Sequence, residues 1–401
     1  NNLKYLQWSY NSIRKNLGYI HEICMADDFS DDGTWEWMQK IAKKDKGVKI
    51  HRNDGPTRLG HTILYDTLIN DYATNDIVMI YHADMYACPG LDEAVNKHIK
   101  KGVVVSGTRI EPPLHPDGPE KILYDYGIEP EEFKEQELLT WLSSSPEHTH
   151  SKLGKETTEG IFAPWAIMKE DFQSIGGHDE LYAPQSKEDS DIFNRFHLAG
   201  YKLVQTWEGF VYHMTCRGSR FADGAKRNPN GEVFMKNRET DEWLAQNIRS
   251  TRNFIRKWGH FVKHDALMKP IIPPKYDIGF VIESCSRELL ETLEPWCDAI
   301  YIEDEQMKKE YIEKEQSNTL FNLENKVRDI GEVIHETGYK HDIELWFDGS
   351  KFNEQSFQYI QQLSEILAND EELEVGEFEL DIFKVTISRI KTYEKELINV
   401  I

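Results

Sequence analysis

Cysteine is scarce and scattered. Cys24, Cys88, Cys216, Cys285 and Cys297 show no C-x-x-C spacing in 401 residues. This argues against a disulfide framework and a structural zinc site, and it fits a reducing, cytoplasmic setting. Long hydrophobic runs are missing too. None approaches the ~20 apolar residues of a membrane-spanning helix. Basic residues do not dominate: 47 Lys and Arg stand against 70 Asp and Glu, a net charge of −23. An acidic chain is a poor general nucleic-acid binder. The first residue is Asn rather than Met, so the true N-terminus is expected upstream and a secretory signal cannot be judged.

Charge is distributed unevenly. From Lys275 onward there are 30 acidic and 13 basic residues. The segment Arg217–Lys263 reverses the balance, with 11 basic and 5 acidic. Such a segment suits a phosphate-bearing small molecule, although a solvated helix face accounts for most of its cations.

Along the first half, short apolar runs alternate with helical patterns. Helical spacing covers Leu3–Lys15, Trp35–Lys43, His61–Tyr72 and Gly90–Lys100. Strand-like runs are Ile20–Ala26, Gly47–Asn53, Ile77–Tyr81 and Gly102–Ile110. This alternation implies an α/β fold with a mostly parallel sheet. Glu111–Glu159 reads as long loops around a helix at Glu131–Leu142. Order returns with a helix at Ser190–Leu198, a strand at Lys202–Trp207 and an amphipathic basic helix at Glu242–Trp258. Lys269–Asp277 ("KPIIPPKYD") reads as a linker. Strands are then expected in "DIGFVIE", "DAIYIED", "DIELWFD" and "EFELDIFKVTI". Helices are expected at Ser286–Leu293, Glu305–Glu315, Thr319–Thr337 and Glu354–Ala368. The organisation expected is a catalytic domain over 1–220, a basic helical extension and linker over 221–274, and an acidic α/β domain over 275–401.

Four stretches carry candidate chemistry. "ADDFSDDGT" sets Asp27 and Asp28 at a strand's carboxyl end, where ligands of open α/β sheets bind. Helix capping accounts for Asp31 or Asp32 but not for that pair. "HAD" ends the buried strand Ile77–Tyr81. Asp84 there is a hard oxygen ligand for Mg2+ or Mn2+, and His82 adds a nitrogen that tilts the choice toward Mn2+. Burying either costs free energy unless something pairs with it. "SKEDSD" places Glu188, Asp189 and Asp191 at a helix start, as dipole complements or as a general base. "VYHMTCRGSR" offers His213 as a further metal ligand, and Arg217 and Arg220 as a phosphate clamp. A structural histidine is the competing account of both His82 and His213.

Together and in this order, the stretches resemble family 2 glycosyltransferases of the A-type nucleotide-sugar fold. The matches are "DDFSDDGT", "HADMYACPGLDEA", "FQSIGGHDELY", "EDSDIFNRFHLAGYKL" and "NFIRKWG", covering residue 1 to about Gly259. The resemblance implies a Rossmann-like mixed sheet, followed here by a smaller Rossmann-like α/β domain. It implies a metal-dependent inverting transfer from a nucleotide-diphosphate sugar to a hydroxyl of a glycan or glycoconjugate. Asp28, with Asp27, would hold the nucleoside. Asp84 would bind Mn2+ or Mg2+, and His82 stands where the family's first Asp is usual. Asp189 would be the base. Arg58, Arg217 and Arg220 would assist the donor, while Trp165, His178 and Glu188 would face the acceptor. "NNLKYL" resembles the segment just after the family's first strand, so that strand is expected to be missing. The alternatives are a sugar nucleotidyltransferase, or a non-catalytic binding protein on the same fold. The C-terminal segment has no G-x-G-x-x-G and no P-loop. A scaffold, acceptor-docking or homo-oligomer role is expected for it.

Overall fold

The strand and helix patterns of the first hundred residues fold close to where their periodicity places them. A computed structural model describes residues 1–144, 151, 153–217, 223–236, 239–334, 340–370 and 373–401. By contact density the chain divides into two units, Asn1–Gln246 with His264–Pro270, and Asn247–Lys263 with Ile271–Ile401.

The first unit begins with α1 (Leu3–Asn16), β1 (Ile23–Asp28), α2 (Thr34–Lys44), β2 (Val48–Asn53) and α3 (Gly60–Thr67). A π-helical turn, Leu68–Tyr72, extends α3. Then come β3 (Ile77–Ile80), β4 (Met85–Ala87), α4 (Leu91–His98), β5 (Val103–Glu111) and β6 (Lys121–Leu123). They are followed by α5 (Glu135–Ser143), β7 (Thr157–Thr158), β8 (Trp165–Met168), α6 (Lys169–Ser174), α7 (Glu188–Leu198) and β9 (Lys202–His213). A short hairpin, β10 (Lys226–Arg227) with β11 (Val233–Phe234), precedes α8 (Asp241–Trp258).

Seven strands form one mixed sheet in the order β3-β8-β5-β9-β4, with β6 beside β5 and β7 beside β9. Strand β8 is antiparallel to both neighbours, and β5 is parallel to β9. The alternation alone implied a mostly parallel sheet; β8 and β4 make it mixed, because both enter as antiparallel neighbours. Strands β1 and β2 pair in parallel with each other as a separate two-stranded sheet. Helix α1 is tied to the end of β4: Ser12 Oγ accepts from Ala87 N at 2.8 Å, and Asn16 Nδ2 donates to Ala87 O at 2.8 Å.

Strand β5 is buried along its whole length, including Ser106, Thr108, Arg109 and Glu111. A central strand normally buries apolar side chains. Its polar ones must therefore find partners inside the protein. The expected strand Lys202–Trp207 continues to His213 because its second half pairs with β4 and β5.

The second unit holds a six-stranded sheet. Its strands are β12 (Ile278–Glu283), β13 (Ala299–Ile302), β14 (Val327–Asp329), β15 (Ile343–Asp348), β16 (Gly376–Leu380) and β17 (Phe383–Ile387). The order is β14-β13-β12-β15-β17-β16: four parallel strands, then an antiparallel pair. Its helices are α9 (Arg287–Leu293), α10 (Glu305–Glu315), α11 (Leu323–Lys326), α12 (Gly331–Ile334) and α13 (Glu354–Asn369). Ser286, Asp304 and Asn353 cap α9, α10 and α13 with their side chains.

Two expectations fail in this unit. Thr319–Thr337 is not one helix: α11, β14 and α12 occupy its described part, because Val327 is recruited as an edge strand beside Ile300. "EFELDIFKVTI" is a hairpin rather than one strand, turning at Asp381 with φ 54°.

Candidate active site

The site is assembled where β3, β5 and β9 end and β4 begins. Met85 of β4 lies opposite His213 of β9 in antiparallel register. Met214 N donates to Asp84 O at 3.0 Å, which holds the turn before β4 against the end of β9. His213 Nε2 therefore stands 3.3 Å from Asp84 Oδ1. The His82 and His213 rings lie 5.7 Å apart. One ligand atom each from His82, Asp84 and His213 fall within 4.8 Å of one another. The Asp84 side chain is 15% exposed and that of His213 10%.

Two imidazoles and one carboxylate form a donor set that suits Mn2+ better than Mg2+, which prefers all-oxygen shells. The three side chains set one another's charge. Burial and the neighbouring His213 push His82 down to about 4, so its imidazole is neutral near pH 7. Burial alone would lower His213, but Asp84 and Glu111 outweigh it and carry it up to about 9. Burial would raise Asp84, yet His213 keeps it below its ordinary value.

The second wall is the start of α7. Lys187, just before it, is left-handed at φ 73°. Gly60, at φ 75°, opens α3 so close to Pro184 that a Cβ there would meet Pro184 O at 2.0 Å. Only glycine permits this approach. It brings His61 Nε2 within 2.6 Å of Glu188 Oε1. Burial would raise Glu188, but His61 outweighs it and holds the carboxylate ionised. Glu188 Oε2 stays buried with no hydrogen-bond partner. Asp189 is half-buried and moves the other way, raised by burial and by the adjacent Glu188. Tyr65 feels the charges of both Asp84 and Glu188, and His82 feels that of His61, the partner of Glu188.

The third part is the end of β1. Asp28 is spent locally: Oδ1 accepts from Asn53 Nδ2 at 2.7 Å and Leu59 N at 3.0 Å, and Oδ2 from Gly60 N at 2.8 Å. Asp27 is different. Its side chain is fully buried, neither oxygen has a hydrogen-bond partner, and Arg52 Nε stands 3.6 Å away. The free acceptor capacity thus belongs to Asp27 more than to Asp28.

Several expected site residues are committed elsewhere. Trp165 is 2% exposed and packs on Phe172, Phe193 and Phe196, so it is a core residue rather than a sugar platform. His178 is buried as well, with Nδ1 2.6 Å from Asp66 Oδ1. Arg217 is folded inward. It donates to Ile128 O, lies 3.4 Å from Glu129 Oε1 and stacks over Tyr5. Arg58 is exposed on the loop before α3. Arg220 lies outside the described residues. Sequence reasoning missed His61 and Glu111. Glu111 carried the same signal as His82, a charge at the carboxyl end of a buried strand. His61 carried none, since its partner is 127 positions away.

A family model described as glycosyl transferase family 2 matches residues 1–175. Residues 1–175 are thus similar to a family 2 glycosyltransferase domain. The matched span holds Asp27, Asp28, Arg58, His82 and Asp84, and ends before Asp189 and His213. No curated protein matches the chain. Among similar solved structures, GalNAc-T7 with UDP, GalNAc and Mn2+ is 14% identical, with a TM-score of 0.38 over 52% of this chain and 40% of that one. The mannosyltransferase PcManGT from Pyrobaculum calidifontis, with GDP-Man and Mn2+, is 17% identical, with a TM-score of 0.35 over 53% and 54%. TarS of S. aureus is 13% identical, with a TM-score of 0.35 over 64% and 38%. The chain thus spans about half or less of each of these proteins.

Proposed function

We propose that the chain transfers a sugar from a nucleotide-diphosphate donor to an acceptor hydroxyl, with a divalent cation and with inversion at the anomeric carbon. The observation that carries this is the convergence of His82, Asp84 and His213 beside the α7 carboxylates. His82, Asp84 and His213 would hold Mn2+, which when bound supplies positive charge against the donor diphosphate.

The remaining work falls to side chains. Asp27, whose oxygens at the end of β1 make no hydrogen bond and have only Arg52 nearby, would accept from N–H or O–H groups of the nucleoside. Asp189 would take the proton as the acceptor oxygen bonds to the anomeric carbon. The bond to the diphosphate breaks, and its electron pair leaves with the phosphate oxygen. Attack opposite the leaving group gives inversion. Adjacent to Asp189, Glu188 is neutralised by His61, so only one carboxylate of the pair is available as base. Its raised affinity for protons improves it as a base, because catalytic groups work best with pKa values nearer the operating pH.

The test is calorimetric titration of UDP and GDP with and without Mn2+, followed by a transfer and donor-hydrolysis assay over a panel of sugar nucleotides. Metal-dependent nucleotide binding together with transfer is the expected result. Nucleotide binding with neither transfer nor hydrolysis would leave a binding protein instead.

A further inference from the structure

We propose that Glu111 is the positioning residue of the metal centre, holding the Nδ1 proton of His213 so that Nε2 is the nitrogen that a cation beside Asp84 and His82 would take. This rests on the reading of His82, Asp84 and His213 as the metal triad. Strand β5 runs parallel to β9 with Arg109 beside Val211 and Ile110 beside Tyr212, which brings Glu111 level with His213. Glu111 Oε1 lies 2.7 Å from His213 Nδ1. The other ring nitrogen, Nε2, is the one 3.3 Å from Asp84.

A neutral imidazole has one N–H and one lone pair, and an ionised carboxylate only accepts. Glu111 therefore keeps a proton on Nδ1, so Nε2, which faces Asp84, is the nitrogen that would exchange its proton for a cation. Metal-bound histidines commonly carry such a carboxylate on their far nitrogen.

Glu111 is itself held rigidly. It is 1% exposed, with Arg109 Nη1 at 3.2 Å and Lys121 Nζ at 3.7 Å. Glu120 closes the group, 3.2 Å from Arg109 Nη2 and 3.4 Å from Lys121 Nζ. The Arg109 guanidinium lies over the Phe162 ring at 3.9 Å. Two cations and two anions are thus buried together and balance. Only Glu111 reaches the histidine, so Glu120 provides a control: it carries the same charge in the same group without touching His213.

The experiment measures Mn2+ affinity of the whole chain from the free-ion electron paramagnetic resonance signal, and follows the visible spectrum of Co2+ as a second report on the ligand set. Glu111→Gln should weaken Mn2+ binding ~10–100-fold and alter the Co2+ spectrum. Glu120→Gln should stay near the parent. If Glu111→Gln does not fold, Glu111→Gln combined with Lys121→Met restores the charge balance and should show the same loss. Parent-like affinity in the Glu111 variants overturns the proposal, and so does an equal loss in Glu120→Gln. Asp84→Ala separates this from the underlying reading: if it binds Mn2+ like the parent, the triad is no metal centre and the proposal falls with it.

Discussion

Each unit buries carboxylates, and these are satisfied to different degrees. In the second unit Glu294 is fully buried and saturated. Its oxygens accept from Arg256 Nε at 3.0 and 3.1 Å, Arg256 Nη2 at 2.6 Å, Arg252 Nη2 at 3.3 Å and the Tyr311 hydroxyl at 2.7 Å. Lys326 Nζ stands 3.7 Å away. Burial would raise Glu294, but Lys326 and Arg256 outweigh it and pull it down to about 2. In the first unit Asp27 has no hydrogen-bonded oxygen at all, and Glu188 has one left over. Unmade hydrogen bonds of buried polar groups cost about 1–3 kcal/mol each. Such a deficit is tolerated where a ligand supplies the missing partners. Glu294 braces its unit, whereas Asp27 and Glu188 keep acceptor capacity that a ligand would use.

The comparison is tested most severely by Asp84→Ala, the largest expected effect. It should abolish metal-dependent binding of a nucleoside diphosphate, since a hard cation needs a carboxylate and the triad contains only one. Unchanged calorimetric affinity would place the site elsewhere. Asp189→Asn should leave donor and metal binding intact while transfer falls ~10²–10⁴-fold. In the parent, Asp189 is raised by burial and Glu188, so the acid limb of the rate should lie above the ordinary aspartate value. A limb at the ordinary value, or full transfer by Asp189→Asn, would assign the base to another residue.

Glu294→Gln probes the saturated cluster. Breaking a buried pair costs about 3–5 kcal/mol, so chemical denaturation should show a large loss of stability. Acid provides the gentler version. The folded pKa of Glu294 is below its unfolded value of 4.5. Its contribution is therefore complete above about 4.5 and is lost as pH falls toward about 2. The parent should lose stability across that window in circular dichroism, and Glu294→Gln should show a shallower dependence. The smallest effect is expected for His82→Ala, which should shift preference from Mn2+ toward Mg2+ by removing a nitrogen donor. An unchanged ratio of the two affinities would return His82 to a structural role.

Much of the fold was open to sequence reasoning because strands and helices announce themselves by local periodicity. Ile77–Tyr81 and Gly102–Ile110 read correctly to within a residue or two. Thr319–Thr337 did not, because strand β14 exists only through pairing with β13. The site shows the same division. His82 and Asp84 drew attention as charges closing an apolar run. Trp165 misled, since an aromatic suited to a sugar looks the same in sequence as one that fills a core. Asp27 and Asp28 were indistinguishable neighbours until the loop 53–60 consumed the oxygens of one and not the other.

The sequence by itself determined the alternation of elements, the acidic C-terminal third, and the carboxylate and imidazole that follow the strand at Ile77–Tyr81. These depend on neighbours within a few residues, where side-chain periodicity and polarity act directly. Tertiary structure alone decided that His213 joins Asp84, that Glu111 backs His213 from 102 positions away, and that His61 neutralises Glu188 from 127. The reason is physical: strand register and the close approach of Gly60 to Pro184 bring those groups together, and neither leaves a trace in the spacing of residues along the chain.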